Sequence, residues 1–251
     1  MSRSEPHVQL ENVTLAYGDF VIQQHLSFTI QRGDVFIIMG GSGCGKSTVM
    51  RSLTGLLQPL EGRIRYNGIS FWELSEAQRK RHMRHLGVMY QSGALWSSMT
   101  LRENVQLPLE LYTNLSPRQV REIAAYKLAL VGLTGFDDFY PSEISGGMCK
   151  RVGVARAMAL DPEILFFDEP SAGLDPVSGR LLDELILELR DSLGTTMVMV
   201  THDLASIFTV ADDSVFLDPE TKTMLTTGNP RELRDHSEIA KVRTFLKRGE
   251  A

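Results

Sequence analysis

Two stretches of this sequence carry residues whose types and spacing suit phosphate chemistry: "GGSGCGKST", Gly40 to Thr48, and the acid pair Asp168–Glu169 that ends "ILFFDE". The first fits G-x-x-x-x-G-K-[ST], in which glycines let backbone N–H groups turn inward around phosphates with no Cβ in the way. Gly40, Gly41, Ser42, Gly43, Cys44 and Gly45 would form the cradle, and Lys46 would bring a point charge to the β and γ phosphates. The Ser47 hydroxyl would ligate Mg²⁺, and Thr48 would reach the α phosphate. Asp168 suits the metal side, directly or through water, and Glu169 could accept the proton of a water attacking the γ phosphorus. A second anion cradle stands in "EISGGMCKR", where Ser145 precedes two glycines at the start of a helical pattern. Two cradles in one chain need a reason.

Such groups need a sheet edge to stand on. "DVFIIMG" is a continuous apolar run directly ahead of the loop, as expected of a strand covered on both faces, and "EILFFD" reads the same way. Open α/β sheets bind ligands at the C-terminal ends of their strands, which is where both runs deliver their polar residues. The first third also holds the alternating segments "HVQLENVTLAY" and "FVIQQHLSFTI", with a turn at Gly18 and Asp19. A helix over about 46–57 follows the loop, then a strand "GRIRYNGI" entering an Asn-Gly turn, then a basic helix "SEAQRKRHMRHL". From Met99 to about Met158 the pattern is helical, with Ser116 and Pro117 as a cap and first turn. The strand–helix–strand order from Glu163 onward implies a parallel sheet with right-handed crossovers, and the helical stretch reads as an insertion into it.

The chain has 251 residues and a net charge of −5, enough for one large domain and a poor match to a generic nucleic-acid binder. No apolar run approaches the roughly 18 residues that span a bilayer. The first residues lack the apolar core of a signal peptide, and two cysteines, Cys44 and Cys149, make neither a disulfide framework nor a zinc site. A cytosolic, reduced chain is expected.

The ordered set of motifs resembles the nucleotide-binding subunits of ATP-binding cassette (ABC) transporters, from about Val8 to Gly228. The resemblance implies an α/β P-loop NTPase fold of the ABC kind: a mainly parallel core sheet, an N-terminal antiparallel β subdomain and an inserted α-helical subdomain. One nucleotide-binding domain over residues 1–251 is expected, with core 1–91 and 159–230, helical subdomain about 92–158 and a helical tail about 231–251. It implies ATP and Mg²⁺ as cofactors. Tyr17 falls where the family stacks an aromatic on adenine, and Gln91 in "VMYQSGAL" matches the glutamine loop, expected to act on metal and water. Asp175 in "SAGLD" falls in the loop that reaches across a dimer, and His202 in "MVTHD" where a histidine meets the γ phosphate. Ser145, Gly146 and Gly147 would then close over ATP held by a second copy, packed head to tail. That is the reason for the second cradle.

Ile144 and Met148 replace the commoner leucine and glutamine of the signature, which puts any amide contact from position 148 in doubt. "SGGM" with "QSGAL" is similar to the ATPases of Mla and Mce-type lipid transporters, implying ATP hydrolysis at the cytoplasmic face of the inner membrane. The partners implied are a second copy, a membrane-embedded permease, and accessory cytosolic and lipid-binding subunits, with no nucleic acid. A non-lipid transporter and a soluble ABC protein of DNA repair or translation are the alternatives; the long coiled-coil insertion or doubled cassette of the soluble kinds is missing here. Lys150 and Arg151 read as a solvated helix face or as a headgroup site. Trp96, with Leu95, Met99 and Leu101, reads as an exposed apolar patch for the membrane partner or as core. In the head-to-tail dimer Cys44 and Cys149 would face each other and could be linked by oxidation.

Overall fold

The computed structural model describes residues 6–91 and 93–247. The outermost ends of the expected domain, the last residues of the expected helical tail and Ser92 of "QSGAL" lie outside the described residues.

The alternating N-terminal segments form a long antiparallel hairpin, β1 (Pro6–Tyr17) and β2 (Phe20–Gln31), closed at Gly18 and Asp19. β3 (Val35–Gly40) leads into the glycine loop and is buried at all six positions. Helix α1 (Lys46–Leu53) stops short of the expected residue 57. The Thr54 hydroxyl bonds back to the Met50 carbonyl at 2.9 Å, and Gly55 takes φ +77°. The chain then closes on itself, with the Leu56 and Leu57 amides both donating to the Arg51 carbonyl. β4 (Glu61–Tyr66) and β5 (Ile69–Ser70) are joined at Asn67 and Gly68, both at positive φ as a tight hairpin turn demands. The basic segment is α2 (Glu76–Met83), capped by Ser75 and Gln78, and β6 (Leu86–Met89) follows.

The helical stretch holds α3 (Leu101–Tyr112), α4 (Pro117–Leu130) and α5 (Gly146–Ala157). Ser116 caps α4 and Pro117 opens it, as the sequence predicts. The last part alternates β7 (Ile164–Asp168), α6 (Pro176–Leu193), β8 (Thr196–Val200), α7 (Leu204–Val210), β9 (Asp213–Asp218) and β10 (Thr223–Thr227). α8 (Pro230–His236) and α9 (Ala240–Lys247) finish the described chain, with Val242 and Leu246 buried and Phe245 edge-on to Phe216 at 5.2 Å.

Two sheets result. One is four-stranded and antiparallel, in the order β2-β1-β4-β5. The other is six-stranded, in the order β10-β9-β3-β8-β7-β6, parallel except for β10. Alternation along the central strands assigns their two faces to two cores. Phe36, Ile38, Phe166, Val198 and Val200 join β1, β2 and α1, with Phe28 stacked on Phe36 at 5.4 Å. Val35, Ile37, Leu165, Phe167, Met197 and Met199 join the helices on the other side. Among the described residues no helix is long and apolar enough to cross a membrane.

Candidate functional site

The glycine loop is built by close backbone approach. Gly40 has φ +148°, and a Cβ there would lie 2.3 Å from the Leu217 carbonyl oxygen and 2.7 Å from Cys44 Sγ. Gly45, at φ +90°, is the N-cap of α1 and supplies no side-chain cap, whereas Ser75, Thr100 and Ser116 cap α2, α3 and α4. The first turn of α1, with the N–H groups of Lys46, Ser47 and Thr48, is therefore left to an external acceptor at the positive end of the helix. Lys46 Nζ lies within the loop, donating to the Gly40 and Gly41 carbonyls at 3.0 and 3.1 Å. An anion suits this cradle.

Gln23 holds the cradle from beneath. It is fully buried on β2, and its Nε2 donates to the Cys44 carbonyl at 2.8 Å and the Asp218 carbonyl at 3.1 Å. Nothing in the motif pointed to it, because it lies 21 residues ahead of the loop carbonyl that it holds and its other partner stands on β9. Tyr17, half exposed at the end of β1, accepts a hydrogen bond from Arg51 Nη1 at 3.0 Å, which fixes its ring at the side of α1.

Asp168 and Glu169 stand at the C-terminal end of β7, in the parallel sheet that also ends at Gly40. Burial, then the neighbouring Glu169 carboxylate, pushes the Asp168 carboxyl up, with Arg51 and Lys46 opposing. An added cation would relieve that crowding. No group of three His, Cys, Asp or Glu among the described residues could hold a metal alone. One carboxylate and the Ser47 hydroxyl, completed by phosphate oxygens, is a donor set that fits Mg²⁺. Glu169 adopts φ +47°, held by its amide donating to the Val200 carbonyl at 2.8 Å. Its Oε1 lies 2.8 Å from Nδ1 of His202. The carboxylate is thus turned into the cleft beside β8, a space of about 720 Å³ lined also by Ser171, Asp203, Phe208 and Arg234.

The remaining expected residues sit on other elements. Gln91 is exposed after β6, and its backbone carbonyl accepts a hydrogen bond from Lys150. Ser145 caps α5, its hydroxyl accepting from the Met148 amide at 3.2 Å, and the space around Gly146 is open, with Leu174 4.0 Å from where a Cβ would be. Asp175 caps α6, accepting from the Val177 and Ser178 amides at 3.0 Å, and hydrogen bonding to Ser178 holds its carboxyl below the ordinary range. No hydrogen bond or ion pair among the described residues joins Ser145, Gly146 or Gly147 to the glycine loop.

Three readings of the sequence need correction. Lys150 and Arg151 form neither a solvated face nor a headgroup site: Lys150 is buried, and Arg151 Nη1 donates to the Val131 carbonyl at 3.3 Å. Of the expected apolar patch only Trp96 is exposed; Leu101 is fully buried and Leu95 packs on the core, because Asn104 binds the Trp96 amide and carbonyl and tightens the turn. Cys44 is 1% exposed in the core between the two sheets, and burial pushes its thiol up and that of Cys149 as well. Ready oxidation between copies is not expected of such a thiol.

A sequence profile described as "ABC transporter" matches residues 23–172, which include the glycine loop, Gln91, the Ser145–Gly147 turn and both acids. The chain belongs to the ABC transporter family. The fold is that of its cassettes, and the class is an ATPase. The intermembrane phospholipid transport ATP-binding protein MlaF of Haemophilus influenzae is 34% identical over 240 residues, covering 96% of this chain and 90% of that protein. The probable ribonucleotide transport ATP-binding protein mkl of Mycobacterium tuberculosis is 38% identical over 239 residues, and the chain spans 66% of its length. A dimeric post-hydrolysis structure of the ATP-binding cassette MJ0796, bound to ADP and Pi, superposes with a TM-score of 0.79 at 30% identity, over 88% of this chain and 98% of that one.

Proposed function

We propose that this chain is the ATP-hydrolysing subunit of a bacterial membrane transporter that moves phospholipid or a similar lipid between membranes. The observation that carries the cargo class is the likeness to MlaF along nearly its whole length. In this reading two copies pack head to tail, as the dimeric MJ0796 cassette and the exposure of Ser145 and Gly146 support. ATP held by Gly40–Thr48 of one copy is covered by residues 145–147 of the other. Lys46, Ser47 and Asp168 hold the triphosphate and Mg²⁺, Tyr17 stacks on the base, and Glu169, oriented by His202, takes the proton of the attacking water. Gln91 acts on metal and water from its loop, and Asp175 supports the dimer face from the end of α6. Loss of the γ phosphate removes the shared contact and the pair reopens, so the nucleotide sets the population of closed and open forms. A membrane-embedded permease receives that motion at the cytoplasmic face of the inner membrane, together with accessory subunits.

Ribonucleotide cargo, the class for which mkl is named, is the second reading. Purification of the complex from native membranes, with mass spectrometry of its proteins and small molecules, separates the two. Phospholipid with a permease-type subunit supports the first; nucleotide cargo without lipid supports the second and overturns the first. Head-to-tail pairing is read by mixing Lys46→Ala and Ser145→Arg chains, each inactive alone. A mixed dimer regains one intact site, so about a quarter of wild-type turnover should return.

A further inference from the structure

Helix α5 carries two cations that turn back onto the segment carrying Gln91, one buried and one partly buried. Lys150 is 7% exposed and donates to the Gln91 carbonyl. Further along the same helix, Arg156 donates from Nη1 to the Ala94 carbonyl at 2.7 Å and from Nη2 to the Gly93 carbonyl at 2.8 Å. Between these two anchors the backbones touch. A Cβ on Gly153 would lie 3.2 Å from Gly93 Cα, and one on Gly93 would lie 3.2 Å from the Cys149 carbonyl oxygen. Three carbonyls of the segment that carries Gln91 are thus held by two side chains of one helix, with glycine against helix backbone in between. The N-terminus of that helix is the Ser145–Gly146–Gly147 turn.

A buried ammonium is costly unless its protons are used, and a hydrogen bond from a charged donor is roughly twice as strong as a neutral one. Burial lowers the Lys150 ammonium, and the Glu169 carboxylate raises it. We propose that Lys150 and Arg156 are positioning residues that join Gln91 to α5 as one rigid body, so that a pull on residues 145–147 is delivered to Gln91 of the same chain. On the split-site reading above, residues 145–147 are where the nucleotide of a second copy would exert that pull; the clamp itself rests on contacts within one chain.

The test uses the full chain as Lys150→Met, Lys150→Arg and Arg156→Lys, with hydrogen exchange of the peptide spanning Gln91 and steady-state ATP turnover. Without nucleotide, K150M should exchange at least tenfold faster than wild type at Gly93, whose amide donates to the Tyr90 carbonyl across Gln91, because the turn opens locally once the Gln91 carbonyl is released. Its kcat should fall roughly 10- to 100-fold while KM stays within about threefold, the mark of an interaction that matters for geometry in the transition state. K150R should restore most of both, and R156K, with one donor direction in place of two, should fall between. Unchanged exchange in K150M overturns the clamp, and so does a kcat loss that K150R fails to restore. Failure of the split-site reading would be seen elsewhere, as absent rescue in the mixed Lys46→Ala and Ser145→Arg dimer with the exchange difference intact. In that case the clamp still stands, because its contacts lie within one chain.

Discussion

Glu169 and His202 meet at 2.8 Å across the ends of adjacent parallel strands, although 33 residues separate them in the chain. The contact is set by backbone: β7 and β8 pair in register up to Asp168 and Val200, and the left-handed φ of Glu169 turns its side chain toward the loop that follows β8. Glu169→Gln keeps the shape and removes the proposed base. It should lower ATP turnover by roughly 10²–10⁴ while leaving nucleotide binding within a few fold. His202→Ala should cost less, because it removes the partner that orients the carboxylate. Equal losses in binding and turnover for E169Q would contradict the assignment.

Gln23 predicts a loss of affinity from a residue outside every motif. Gln23→Leu removes both amide donors under the loop and leaves the Cys44 and Asp218 carbonyls without them. The expected cost is about 1–3 kcal/mol of stability and a several-fold rise in the Kd for ATP, read by denaturant unfolding and by a fluorescent nucleotide. Unaltered affinity would mean that the loop holds its shape alone.

Asp183 is buried on α6, where burial pushes its carboxyl from an ordinary 3.8 to about 6 despite a hydrogen bond from Ser206 at 2.8 Å. The folded state therefore holds this proton more tightly than the unfolded chain. Stability from this group is fully present below about pH 4 and is lost as pH rises toward 6. Asp183→Asn should be more stable than wild type at pH 7, by no more than about 3 kcal/mol, with the difference vanishing near pH 4. A constant difference across that range would count against the buried acid.

His7 works in the opposite direction. It is 1% exposed, its Nδ1 lies 2.7 Å from the Thr196 hydroxyl, and burial and Arg32 lower it from 6.5 to about 4. The unfolded chain takes up this proton first, so the stability it lends is present above 6.5 and lost as pH falls toward 4. His7→Gln should flatten that part of the acid unfolding curve. An unchanged curve would refute the assignment.

Legibility in the sequence divides along physical lines. The strands around "VFIIMG" and "ILFFD" were readable because burial on both faces leaves no polar position, and the loop at Gly40–Thr48 because its spacing is dictated by a ligand shape. The cap at Ser116 follows from local chemistry. Lys150 and Arg156 were not readable: on a helix a basic residue ordinarily faces water, and only the three-dimensional return of the segment after Gln91 makes them anchors. Leu101 and Cys44 misled in the same way, since the depth of an apolar side chain or of a thiol is a tertiary fact. The end of α1 was overextended because Thr54 can cap a helix as well as continue one.

β3 gives Phe36 and Ile38 to one interior and Val35, Ile37 and Met39 to the other. A strand shared in this way cannot be surrendered by one half of the molecule while the other keeps it. Heat should accordingly dismantle the chain in one cooperative step, with the antiparallel sheet and the helical layer melting at the same temperature.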